Sequence, residues 1–383
     1  MQCDETRPRC GHCARHNVAC DYPSLVSRAY EPNQPKASKP ASQRRVAERP
    51  QPSLPSPELG GLRIIDLRLM HQWITATAGT MSSAQVDNVR EMWSVSVPQM
   101  AFEYEPLLHT LLALGAAHRT TLLPDEANSM RSVHHAYIHS ALQQHRPVTA
   151  NLDSSTSESV CLNAVLISFY TLFLRSEPST DPYEPPLLWL SMSRGIRTVM
   201  KHVYHQLIRN NSRLCPLLLV QPTLWNESST FYKGPAKPFQ FILQHRQHEE
   251  LMDEQTIAAY SQTIAYVERF YVASQINEPD YALRKMFSGF PPIVPDTFLD
   301  FVSQKRPRAL AILAYHFAIA KKVENIWWLR GIPEKEVRGI NTLMPADWKW
   351  VMVWPLHLVS EEPGRDSEYP IPTESRSVLE SLF

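Results

Sequence analysis

Residues 1–23 read MQCDETRPRCGHCARHNVACDYP, and four of the chain's six cysteines fall among them. Cys3, Cys10, Cys13 and Cys20 are spaced Cys-x6-Cys-x2-Cys-x6-Cys. Thiols packed that densely need either disulfides or a metal. Zinc takes four thiolates in a tetrahedron at about 2.3 Å each. A Cys-x2-Cys pair such as Cys10 and Cys13 lets one tight turn place two sulfurs on one ion. Arg7, Arg9, Arg15, His12 and His16 surround the sulfurs and favour thiolate over thiol. A small disulfide knot would need an oxidising compartment, and no stretch of the chain reads as a signal peptide. The spacing therefore points to zinc held by Cys3, Cys10, Cys13 and Cys20.

The segment that follows has a different character. Residues 23–61 carry eight prolines between Pro23 and Pro57, with Ser, Gln and Arg interspersed. Such a stretch cannot bury enough apolar surface to offset its ordering entropy, so a disordered, extended linker is expected. No a/d heptad pattern marks a coiled coil there. Arg44 and Arg45, with Lys36 and Lys39 nearby, are candidates for a nuclear import signal. The first fifty residues hold nine Lys/Arg against five acids, and the remainder 29 against 33, within a net charge of zero. A basic arm on a slightly acidic body suits nucleic-acid contact at one end only.

The cysteine-rich stretch resembles the second half of the fungal Zn2Cys6 binuclear cluster, the module of a large class of fungal transcription factors. The family pattern is Cys-x2-Cys-x6-Cys, a loop with a proline, then Cys-x2-Cys-x6-Cys. Cys3 matches the third cysteine, Cys10, Cys13 and Cys20 the fourth to sixth, and Pro8 the loop proline. The resemblance implies two zincs sharing six thiolates, and a basic helix that enters the major groove of double-stranded DNA. The first two cysteines and the basic run would precede Met1, so a truncated module (1–22) with weak DNA binding is expected. Arg15, and less strongly Arg7, are the expected DNA-phosphate contacts.

From residue 62 the hydrophobic period becomes helical. Leu67, Met70, His71, Ile74 and Thr77 form a stripe at i, i+3, i+4 and i+7 spacing. A helix is expected over 105–123, opened by Pro106, with Gly115, Ala116 and Ala117 permitting a close helix crossing. Another is expected over 125–146, ended by Pro147. Ser155 and Glu158 form a capping box before SESVCLNAVLISFYTLFLR, which is apolar nearly all round and so expected at the centre. Residues 209–247 read as irregular with short helices, and 249–276 as a long amphipathic helix. Pro307 starts a helix expected to run to about residue 330, where Gly331-Ile332-Pro333 breaks it. The fold class is therefore all-α, with a large helical domain over 62–360 and a flexible tail over 361–383. Hydrophobic content of 43% over 383 residues supports a real core. Cys161 and Cys215 sit in apolar surroundings and read as buried, unreactive thiols. No apolar run reaches the ~18 residues of a membrane span, so no membrane partner is expected.

MHQWITATAGTMS, VREMWSVSVPQMAFEYEPLLHTLLALGAAH and IWWLRGIPEKEVRGINTLMPADWKWVMVWP resemble the regulatory domain of fungal Zn2Cys6 factors, nearest the sterol uptake control protein group. That implies a helical domain able to form a homodimer and, in the name-giving members, to sense a sterol in an apolar pocket. An apolar small-molecule effector is the corresponding expectation, and the nucleus the corresponding compartment. Signals of an enzyme are missing: there is no Gly-rich phosphate loop, no Gly-x-Ser-x-Gly and no His-Glu-x-x-His. His135 and His139 are spaced i, i+4 but show no third ligand, so a polar helix face is expected; His245 and His248 read the same way. Trp327, Trp328, Trp348, Trp350 and Trp354 read as core aromatics before they read as a pocket lining. Two functions remain: a zinc-dependent transcription factor, or a helical ligand-sensing or interaction domain with a vestigial DNA-binding module.

Overall fold

The computed structural model describes residues 64–150, 156–220, 238–244, 253–276 and 278–360. All belong to one compact unit, Gly60–Phe383. The linker, the tail, the import-signal candidates, His245 and His248 lie outside the described residues. Helices account for the architecture, and no strand occurs among the described residues. The first run comprises α1 (Ile64–Gln72), α2 (Asp87–Glu91), α3 (Val97–Glu103), α4 (Glu105–Leu122), α5 (Ala127–Ala150), α6 (Ser157–Phe173) and α7 (Leu187–Arg209). Two short helices follow, α8 (Cys215–Leu219) and α9 (Phe241–Gln244). The second run is α10 (Glu254–Gln275), α11 (Asp280–Ser288), α12 (Phe290–Ile293), α13 (Asp296–Ser303), α14 (Pro307–Ala320), α15 (Ile332–Leu343) and α16 (Val353–Ser360).

Two helices are buried on nearly all sides. In α6 the apolar run predicted to be central is central, and Val160, Leu162, Leu166, Tyr170 and Leu172 are almost fully enclosed. In α14 every residue from Arg308 to Ala320 is buried. Pro307 opens α14 at the position where a missing N–H costs nothing. Helix α7 packs on α6, α10 and α15 on α14, and α5 on α4. The α6 segment Ser157–Ser176 is also long and apolar enough to cross a membrane, which the sequence reading missed. With 78% of that window buried inside the domain, its apolar character is accounted for by core packing.

The N-terminal stripe is shifted from the one the periodicity predicts. Leu67, His71 and Ile74 are exposed, and the buried residues are Leu69, Met70, Trp73 and Thr77. After α1 the chain widens into a π turn over Trp73–Thr77, which adds a residue to the turn and rotates the face. A second π turn, Met92–Ser96, precedes α3. The two π turns carry the paired indoles. Trp73 Nε1 donates to the Trp93 carbonyl at 3.1 Å, and Trp93 Nε1 donates to the Ser82 carbonyl at 2.9 Å.

Helix α4 lies close against α1. A Cβ built on Gly115 would sit 2.9 Å from the Leu69 carbonyl oxygen, a backbone atom that cannot turn aside. The close crossing expected from small residues is thus present at Gly115. We expect Gly115→Ala to cost about 1–3 kcal/mol, the usual range for overpacking. A urea midpoint equal to that of the parent would show that α1 slides freely on α4.

Other boundaries differ from expectation for local reasons. Helix α5 continues past Pro147 to Ala150. Helix α6 has Thr156 at its N-cap, and Glu158 of the expected capping box accepts from Ser212 and Arg213. Ser155 lies outside the described residues. Helix α14 stops at Ala320, ten residues earlier than predicted, and a short turn leads to Trp327 and Trp328. Both indoles reach Thr80, Trp327 Nε1 at its hydroxyl (2.8 Å) and Trp328 Nε1 at its carbonyl (3.0 Å). Those two bonds tie the C-terminal helices to the N-terminal ones. Gly331 adopts φ +74°, a left-handed value that glycine tolerates, and α15 begins at the next residue.

Candidate functional site

Cys3, Cys10, Cys13, Cys20, Arg7 and Arg15 lie outside the described residues, so their case rests on donor chemistry. Four thiolate-forming side chains within eighteen residues suit zinc, a borderline-soft ion that sulfur ligands hold well. The remaining two cysteines are unsuited to metal or redox work. Cys161 and Cys215 are buried, as expected, and burial pushes the Cys161 thiol up to about 12.

The five tryptophans belong mainly to the core. Trp328 and Trp348 are fully enclosed, and Trp327 stacks on His118 with ring centroids 4.7 Å apart. Trp354 stacks on Tyr315 at 4.9 Å, and Trp350 lies parallel to Trp348 at 6.4 Å. None of them lines either of two clefts on the described surface. The first, of 540 Å³, is bounded by Asn88, Met92, Arg213, Pro216 and Leu219. The second, of 460 Å³, is bounded by Thr171, Arg175, Glu177, Glu184, Trp189 and Lys335.

The second cleft sits over a buried polar network that joins α6 to α15. A strap, residues 177–186, connects α6 to α7, and α15 holds it down. Arg175 Nε donates to Glu336 Oε1 at 2.6 Å, and the Tyr183 hydroxyl donates to Glu336 Oε2 at 2.7 Å. Arg175 Nη2 donates to the Glu184 carbonyl at 2.9 Å. Lys335 Nζ donates to the Arg175 and Glu177 carbonyls at 2.6 and 2.7 Å. Helical spacing makes the arrangement fit: a Cβ on Gly339, one turn beyond Glu336, would fall within the Tyr183 ring. Burial pushes the Glu336 carboxyl up, and the Arg175 charge beside it opposes that rise. Sequence reading missed this network, because its members come from three segments distant in the chain.

The i, i+4 histidines separate. His139 is exposed and meets Gln143 at 2.9 Å, a polar helix face as expected. His135 turns the other way, toward Tyr170 and Glu177.

Comparison with known proteins accounts for both parts of the chain. Residues 1–29 match the fungal Zn(2)-Cys(6) binuclear cluster domain, and residues 68–213 match the fungal specific transcription factor domain. The Zn(2)-C6 fungal-type transcription factor afumD of Aspergillus fumigatus is 29% identical over 83% of this chain and 81% of its own length. A Zn(2)-C6 fungal-type transcription factor of Gibberella zeae is 28% identical over 94% of this chain and 83% of its own. Sterol uptake control protein 2 of Saccharomyces cerevisiae is 22% identical over 72% of this chain but only 30% of its own length. The matched N-terminal domain binds zinc and is a DNA-binding type, and the matched body is helical. With a zinc-cluster match followed by a match to the regulatory domain, the chain carries the two domains found in the fungal Zn(2)-Cys(6) transcription factors it resembles.

Proposed function

We propose that this regulator of transcription acts in the nucleus as a zinc-dependent, sequence-specific factor for RNA polymerase II. The observation that carries the reading is the zinc-cluster match over residues 1–29, which encloses all four clustered cysteines together with Arg7 and Arg15. Cys3, Cys10, Cys13 and Cys20 hold the metal. Arg15, with Arg7, grips phosphates, which positions the module without reading bases. The division of labour is a module over 1–22, a linker over 23–61, a regulatory domain over 62–360 and a tail over 361–383. No catalytic role is proposed, because the family is one of regulators.

In this reading the helical domain receives the signal, as a homodimer or through an apolar effector. Exposed Ile64, Leu67, Ile74 and Phe102 supply apolar surface for self-association. The second reading, a helical sensing domain with a vestigial DNA module, is favoured by the separate match over 68–213. Gel shifts on the full chain separate the two. Cys13→Ala is expected to release zinc and abolish the shift. Arg15→Ala is expected to weaken binding uniformly across sequences and to lower the slope of log K against log salt by about one. DNA binding that survives Cys13→Ala unchanged would overturn the first reading and leave the second.

A further inference from the structure

A second group of metal-ligating side chains lies far from the cysteines, where α5 meets the end of α6. His134 and His135 are consecutive on α5, Tyr170 is on α6, and Glu177 opens the strap. The potential ligand atoms of His134, His135 and Glu177 all lie within 4.8 Å of one another. His134 Nε2 stands 3.4 Å from Glu177 Oε1, and His135 Nε2 stands 3.4 Å from Glu177 Oε2. Ligands at about 2.1 Å around a tetrahedral ion are separated by about 3.4 Å, the spacing each imidazole makes to one oxygen of the carboxylate.

His134 supplies an independent observation. Its side chain is fully buried, yet its Nε2 has no hydrogen-bond partner. Its Nδ1 is 2.7 Å from the Tyr170 hydroxyl. With Nδ1–H donating to Tyr170, the Nε2 lone pair faces a carboxylate oxygen across 3.4 Å, and two acceptors confront each other. With the other tautomer, Nε2–H faces Glu177 Oε1 across the same 3.4 Å, a long contact that makes at best a weak bond. A divalent cation between them satisfies both groups at once.

The surroundings have the parts that metal sites use. Tyr170 fixes the His134 ring from behind and lies 3.4 Å from His135 Nδ1. Arg131 Nε donates to Glu177 Oε1 at 3.3 Å, so the carboxylate is oriented from its outer side. His135 is half-exposed, which gives an ion a path in and leaves a position for water. Two imidazoles and one carboxylate suit zinc and related transition ions over magnesium or calcium. Arg131 and Lys335 are cations nearby, so this site is weaker than one made of thiolates.

We propose that His134, His135 and Glu177 bind a zinc-class divalent ion that pins the strap to α5. This gives the regulatory domain a metal site of its own, separate from the cysteine module. The test uses the full chain, stripped with a chelator and titrated with cobalt or zinc alone. The parent is compared with His135→Ala, which alters a half-exposed side chain, and with the near-isosteric Glu177→Gln. Each variant should bind one ion fewer per chain while the sulfur-to-cobalt charge-transfer band keeps its full intensity. Added zinc should raise the thermal midpoint of the helical signal in the parent and not in the variants. Should His135→Ala fail to fold, Glu177→Gln alone carries the comparison. Equal stoichiometry and an equal zinc-induced shift in parent and Glu177→Gln would overturn the proposal. So would a lost ion whose departure removes the thiolate band.

Discussion

Glu336→Ala is expected to destabilise the helical domain by about 3–5 kcal/mol, the range for removing one partner of a buried ion pair. The carboxylate is fully enclosed and accepts from two groups, Arg175 Nε at 2.6 Å and the Tyr183 hydroxyl at 2.7 Å. Removing it takes the carboxylate from a guanidinium that is only 24% exposed and leaves a hydroxyl unpaired. The loss also frees the strap over 177–186, because Tyr183 rests against Gly339 and Arg175 holds the Glu184 carbonyl. The measurement is a urea unfolding curve followed by circular dichroism. Pairing Glu336→Leu with Arg175→Met should recover much of the loss, since an apolar pair of similar volume often replaces a buried ion pair at little cost. A midpoint within experimental error of the parent for Glu336→Ala would show that the pair is not what holds the strap.

Where the sequence was legible, one physical signal dominated. Helix α6 is apolar on every side, and a helix of that kind has to be enclosed. Pro307 marked the start of α14, because proline's fixed φ suits a first turn. The zinc module was legible for another reason, since four thiols at short spacing leave few chemical alternatives. The failures share a cause too. A period of 3.6 residues assumes an unbroken α-helix, and the π turn at Trp73–Thr77 breaks that phase. The stripe ran through Leu67 and Ile74, which are exposed, while the buried Trp73 was passed over. The same assumption paired His135 with His139, its neighbour one turn along. The group that meets His135 is Glu177, on a strap whose position depends on Arg175, Tyr183 and Glu336. Nothing in local spacing encodes a meeting of three distant segments.

Acid is expected to destabilise this domain from about pH 6 downward, as its buried histidines take up protons. His118, His145 and His316 are buried, and burial lowers their pKa values to about 4, about 4 and about 3. His118 bonds only to the Thr77 hydroxyl and stacks on Trp327. His145 meets the Tyr104 hydroxyl at 2.9 Å, and His316 lies between Phe287 and Phe290 with Nε2 on the Phe287 carbonyl. None of these partners is a carboxylate that would welcome an imidazolium. In the unfolded chain each histidine takes its proton near pH 6.5. The unfolded state therefore binds more protons as pH falls, so stability is complete above about 6.5 and declines toward 4. At pH 4 each residue contributes a loss on the order of 3 kcal/mol, and three together approach the ~5–15 kcal/mol that holds a typical domain. Carboxylates held low by their partners, such as Asp253 accepting from the Thr256 N–H, add their losses only at lower pH. Following the far-UV signal down in pH should show a cooperative transition between about 6 and 4. His316→Phe removes one of the three protonations and extends the aromatic stack, so its transition should move to lower pH. A parent chain that keeps its helical signal below pH 4, or a His316→Phe transition that does not move, would mean these rings are not held neutral by burial.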